Sequence, residues 1–85
     1  MEHIIREHSL NAKTDKSKFL TNNPVAMLQL ITEAMDNPSN TIHDGNCVVY
    51  YKTFAATIGT TMTQYATKKL KVVTRNGILI TAYPV

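Results

Sequence analysis

Asn76 and Gly77 sit between two apolar runs in the C-terminal stretch KVVTRNGILITAYPV. An Asn-Gly pair tolerates positive φ at both positions, as a two-residue type I′ turn requires. With alternating flanks it predicts a β-hairpin. In TKKLKVVT, Lys69, Lys71 and Val73 are expected on one face, and Leu70, Val72 and Thr74 on the other. In ILITAYPV, period two places Ile78, Ile80 and Ala82 towards a core and Leu79, Thr81 and Tyr83 on the opposite face. Pro84 offers no N–H to a ladder, so it belongs at an edge or strand end.

A second strong pattern lies upstream, in NNPVAMLQLITEAMDNP. Asn23 is a good N-cap and Pro24 suits the first helical position. At 100° per residue, Met27, Leu28, Leu30, Ile31, Ala34 and Met35 fall within about 160° of a helical wheel. Gln29, Thr32, Glu33 and Asp36 occupy the other side, and Asn37-Pro38 ends the helix. MEHIIREHSL reads as a further short helix with Ile4 and Ile5 inward. NAKTDKSKFLTNN is polar and aperiodic, which predicts mostly loop.

The remainder reads as β. NPSNTIHDGN is expected to be a loop with a turn at Asp44-Gly45. CVVYYKTF is rich in β-branched and aromatic residues. AATIGTTMTQYA is a weaker strand signal, with Gly59 marking a bend, bulge or turn. Helices therefore precede strands. The expectation is an α+β domain, with N-terminal helices packed on one face of a twisted antiparallel sheet of about four strands. The other face would be free for a ligand. The 85 residues suit a single domain spanning 1–85. A domain of this size buries only roughly 60–65% of its unfolded surface, so the core is modest.

Charge is uneven along the chain. Residues 24–46 carry Glu33, Asp36 and Asp44 and no Lys or Arg; residues 47–85 carry Lys52, Lys68, Lys69, Lys71 and Arg75 and no acid. A basic C-terminal half points to an anionic partner, although a solvated face explains the lysines equally well. No run of eighteen apolar residues exists, which gives no transmembrane helix. The start lacks an apolar signal core. The single cysteine, Cys47, has no intramolecular partner and reads as a buried thiol.

Several chemistries lack their residues. His3 and His8 are about 140° apart on a helix, and there is no HExxH, CxxC or carboxylate cluster, so no metal is expected. Gly45, Gly59 and Gly77 are isolated, so no phosphate-cradling loop exists. Ser9 or Ser17 could be drawn beside His8, but nothing resembles a nucleophile elbow. What remains suits cleavage of RNA without metal or other cofactor. RNA carries its own nucleophile, the 2′-hydroxyl. The enzyme must take that proton, protonate the 5′-oxygen and stabilise a pentavalent phosphorus. Histidine titrates in the right range for the proton steps. Lysine or arginine can hold the developing charge. Such residues occur at His3 and His8, in KTDKSKF, and at Thr81 and Tyr83.

The layout resembles the barnase/EndoU/colicin/RelE-like superfamily of small ribonucleases. More narrowly, it resembles the C-terminal toxin domains of contact-dependent growth inhibition effectors. The likeness rests on HIIREH followed by KSKF, on PVAMLQLITEAM ahead of the sheet, and on the closing LKVVTRNGILITAYPV. It implies metal-independent RNA cleavage, commonly of transfer RNA, with a cognate immunity protein over the active site. By position it implies His8 as general base or acid, with His3 the second choice. Lys16, Ser17 and Lys18 would lie beside the phosphate, and Thr81 and Tyr83 would line the open sheet face. Lys69, Lys71, Arg75 and Lys52 are the candidate RNA-binding cations. Tyr50, Tyr51 and Phe54 could stack a base, with core packing the expectation for at least two of them.

The expected protein is thus a fragment of a larger secreted or cell-surface effector, delivered into a target bacterium's cytoplasm, with no membrane insertion of its own. Its partners would be transfer RNA, an acidic immunity protein and, for some such toxins, a host translation elongation factor. The competing expectation is a non-catalytic basic module that binds nucleic acid or protein.

Overall fold

The structure, a computed structural model, describes Ile4 and residues 18–21 and 23–85. His3, His8, Lys16 and Ser17 lie outside the described residues.

The capped helix forms as α1, Pro24–Asp36. Asn23 is extended, and its side-chain oxygen accepts a hydrogen bond from the Val25 N–H at 2.9 Å. At the far end the Asn37 N–H donates to the Glu33 carbonyl, and Pro38 follows. The helix buries Met27, Ile31 and Ala34, with Leu30 and Met35 partly covered. Leu28 stays half exposed, so the buried stripe is narrower than the sequence pattern implied.

The described residues form seven strands, the first ahead of α1: β1 Lys18–Phe19, β2 Asn40–Asp44, β3 Cys47–Thr53, β4 Gly59–Thr60, β5 Ala66–Thr67, β6 Lys69–Arg75 and β7 Ile78–Pro84. The main sheet is antiparallel with order β2-β3-β6-β7, and α1 lies over β3 and β6. A small sheet, β1-β4-β5, is made of two-residue strands. The α+β expectation of a helix on one face of an antiparallel sheet therefore stands.

Two local expectations are corrected. Asn40–Asp44 is a strand and not a loop, with all five residues paired to β3. Ile42 is its lone apolar side chain, so it shows no alternation of its own; the ladder with β3 holds it extended. The weak segment AATIGTTMTQYA does not add a fourth strand to the main sheet. It folds back as β4 and β5 beside β1.

The last hairpin forms as expected. Asn76 and Gly77 have φ of 52° and 79°, the two positive values a type I′ turn needs. Beyond it a β-bulge intervenes: Val73 pairs with Thr81, but Thr74 pairs with Leu79. Ile80 is the extra residue, and a bulge flips the alternation around it. Leu79 therefore packs against the core, while Ile78 and Ile80 are 67% and 51% exposed. The period-two assignment of Ile78 and Ile80 to the core is corrected; that of Ala82 stands, since it is fully buried.

The core lies between α1 and the main sheet. Leu70, Val72 and Ala82 meet Met27, Ile31 and Ala34, joined by Ile4, Phe19 and Ile58. Pro84 is buried at the end of β7, opposite Leu70. Gly59 lies where β4 passes this corner: a Cβ there would collide with the Lys18 carbonyl and the Pro84 ring. Close backbone approach, and not a bend, is what requires glycine.

Candidate nucleic-acid interface

The face of the main sheet turned away from α1 is set by strand parity. Burial in β6 alternates, with Leu70, Val72 and Thr74 inward and Lys69, Lys71, Val73 and Arg75 outward. The register carries this parity across the sheet. Tyr51 of β3, Lys71 of β6 and Tyr83 of β7 form one row; Val49, Val73 and Thr81 form the next. Thr81 and Tyr83 thus share the outer face with Lys69, Lys71 and Arg75, as the sequence pattern implied.

The row is tightly interleaved. The Lys69 ammonium stands 4.9 Å from the Tyr51 ring centroid. The Lys71 ammonium stands 5.9 Å from Tyr51 and 5.7 Å from Tyr83. These distances are those of cation–π contacts, in which the negative ring face attracts the ammonium. Partial burial, the largest single influence on Lys71, pulls its pKa down. The hydrogen bond and charge of Tyr83, followed by those of Tyr51, outweigh this and hold it above the usual lysine range. Lys71 is therefore a fully charged, positioned cation at neutral pH.

Thr81 presents a different feature. Its Oγ1 is buried and has no hydrogen-bond partner among the described residues. Such a hydroxyl is costly unless something completes it. Arg75 ends β6, exposed, and Asp44 is the carboxylate at the far corner of the same face, beyond Cys47. Cys47 is only half-buried, so the fully buried thiol expected from its apolar run is corrected. The face can attract a phosphodiester, hold it through ammonium groups and offer flat aromatic surface to a base.

Lys52 does not belong to this face, and its grouping with Lys69 and Lys71 is corrected. It shares parity with Tyr50 and Val48, on the helix side. Its ammonium donates to the Asn37 carbonyl at 2.9 Å and lies 3.9 Å from Glu33. The carbonyl end of α1 captures it. Lys18 is partly buried in β1, opposite Thr60. Tyr50 and Phe54 pack against the core, as expected for two of the three aromatics, which leaves Tyr51 on the face turned away from α1. The odd–even position of Tyr51 relative to Val49 was the signal for it, legible only once the sheet's inner side is known.

A cleft of about 530 Å³ lies elsewhere, between α1 and residues 54–58. It is lined by apolar groups such as Leu30, Phe54 and Ile58, with Glu33 the one ionisable group among its described lining residues. Among its described lining residues there is no lysine, arginine or histidine to meet a phosphate. Among the described residues no cluster of three His, Cys, Asp or Glu could hold a metal. None of the helices there is long and apolar enough to cross a membrane.

Comparison with protein-family models, with curated proteins and with solved structures returned no match.

Proposed function

We propose that this domain is a metal-independent ribonuclease of the bacterial toxin type, acting on transfer RNA at the open face of its main sheet. One observation carries the reading: the row Lys69, Tyr51, Lys71, Tyr83, in which cations alternate with aromatic rings beside the uncompleted Thr81 hydroxyl. Alternating charge and ring is what a single-stranded RNA segment needs, one for phosphate and one for base.

In the proposed reaction the 2′-hydroxyl attacks the adjacent phosphorus as its proton passes to a base. The P–O5′ bond breaks, and an acid protonates the departing oxygen. The products are a 2′,3′-cyclic phosphate and a 5′-hydroxyl. Lys71 attracts the phosphate and Tyr83 positions it by a hydrogen bond, while Thr81, its hydroxyl buried, packs in the next row. His8 transfers protons, with His3 as the second choice. A lysine from Lys16 or Lys18, with Ser17, steadies the phosphorane. An acidic immunity protein would complement the lysine-rich face in the producing cell.

The test is incubation of the purified domain with total RNA in EDTA, with and without a cytosolic extract that supplies translation factors. Transfer RNA fragments ending in 2′,3′-cyclic phosphate are expected, and His8→Ala should abolish them. Intact transfer RNA under both conditions would overturn the reading.

A second reading, a non-catalytic nucleic-acid-binding module, is favoured by the position of His43. This histidine is paired with Val48 and shares the helix-side parity of Thr74, so no imidazole among the described residues lies on the basic face. Salt-sensitive RNA binding without cleavage is its signature.

A further inference from the structure

The turn joining β4 to β5 comes to lie against the end of β7. Thr61 organises it. Its N–H donates to the Tyr65 carbonyl, and its carbonyl accepts from the Gln64 N–H, each at 2.9 Å. Its Oγ1 accepts from the Tyr65 N–H at 3.3 Å and lies 3.0 Å from the Thr63 Oγ1. Gln64 takes a positive φ of 66° to close the loop. The result is a cross-braced turn that holds Met62 out at 70% exposure. Between this turn and the chain end is a cavity of about 240 Å³, lined by Thr61, Met62, Thr63, Tyr83, Pro84 and Val85.

Three properties narrow what it can take. Its volume falls below the roughly 300–1,000 Å³ of sites for drug-sized ligands, so it suits one planar ring system. Its lining includes an aromatic and a thioether side chain, Tyr83 and Met62, which offer flat or polarizable surface, with the buried Pro84 at its floor. Among the described lining residues its polar groups are the Tyr83 hydroxyl, the Val85 backbone and the two hydroxyls of Thr61 and Thr63, the last two bonded to each other. One O–H is spent on that bond, so the other is left to donate, and hydroxyl lone pairs remain to accept. Tyr83, one wall, is also the residue whose ring stands 5.7 Å from the Lys71 ammonium. Tyr83 therefore borders both the Lys71 ammonium and this cavity, which puts the two within reach of one nucleotide.

We infer that the cavity is a nucleobase subsite, with Met62 and Tyr83 sandwiching the base and the Thr63 hydroxyl reading its edge. The inference rests on the RNA reading of the adjacent face and adds to it a determinant of base preference. Thr63 and Met62 are specificity residues in this assignment, not catalytic ones.

The test is an amide NMR titration of the whole chain with the four nucleoside 3′-monophosphates and, separately, inorganic phosphate. The nucleotides should shift the amides of residues 61–65 and Val85, whereas phosphate should shift those around Lys69 and Lys71 alone. Thr63→Val should weaken the preferred nucleotide by about fivefold or more, and reorder the four, without changing phosphate binding. Met62→Ala, at a largely exposed position, should weaken all four with the amide spectrum otherwise retained. Nucleotides that shift the same amides as phosphate would overturn the subsite, as would a Thr63→Val variant with unchanged ranking. Base-selective binding at residues 61–65 by a protein that cuts no RNA would uphold the subsite and sink the ribonuclease reading. Cleavage with the subsite silent would do the reverse.

Discussion

The Lys71 ammonium stands 5.7 Å from the ring centroid of Tyr83, its direct partner across β6 and β7. This pairing ties a half-buried cation of the outer face to the chain's last aromatic. Lys71→Met should remove one phosphate contact. The salt dependence of RNA binding should then flatten, with the slope of log K against log salt falling by roughly 0.7. Fluorescence anisotropy with a single-stranded RNA across a salt series measures this. An unchanged slope would take Lys71 out of the interface.

The same pair gives a pH signature. The pKa of Lys71 is raised in the folded protein, so its contribution to stability is fully present below the unfolded lysine value of about 10.4. It is lost as pH rises through the higher folded value. Thermal melts from pH 8 to 11 should therefore show wild type and Lys71→Met converging only at the alkaline end. A constant difference across the series would contradict the assigned direction.

Thr81 separates stability from function. Its Oγ1 is buried without a partner among the described residues, and valine has nearly the same shape. Thr81→Val should leave stability unchanged or raise it by up to about 1 kcal/mol, because a desolvated hydroxyl is removed. Cleavage of RNA should fall less than in Lys71→Met, since the buried hydroxyl does not meet the phosphate. Urea denaturation and a cleavage assay on the same sample decide both, and a stability loss above about 1 kcal/mol would show that the hydroxyl has a structural partner.

Lys52 should behave in the opposite way. Its ammonium caps the Asn37 carbonyl at the end of α1, so Lys52→Met should lower stability by about 0.3–1 kcal/mol. RNA affinity should change far less than in Lys71→Met. Equal losses in the two variants would return Lys52 to the interface.

Gly59→Ala tests the corner between the two sheets. The added methyl meets the Lys18 carbonyl and the Pro84 ring, and backbone cannot yield as a flexible side chain can. A loss of about 1–3 kcal/mol is expected from overpacking, read as a lower urea midpoint at unchanged m-value.

Some of this protein was legible locally. Asn23-Pro24 starts α1 and Asn76-Gly77 turns the last hairpin because capping and positive φ are properties of the residues themselves. The parity of Lys69 and Lys71 against Leu70 and Val72 followed from strand geometry alone. Thr81 and Tyr83 were placed outward by the same counting, yet Ile78 and Ile80 were placed wrongly, since a bulge exists only relative to the strand it fails to match.

The sequence by itself determined the helix, its caps, the hairpin and the alternation that makes β6 half basic and half apolar. Only the tertiary structure decided which cations act together. Lys52 and Lys71 carry the same charge, but pairing sends one to a helix end and the other between two tyrosines. It also made Asn40–Asp44 a strand, and brought the 61–65 turn beside Tyr83. Each of these depends on residues far apart in the chain, and cross-strand register and close packing are set by contacts that no local window contains.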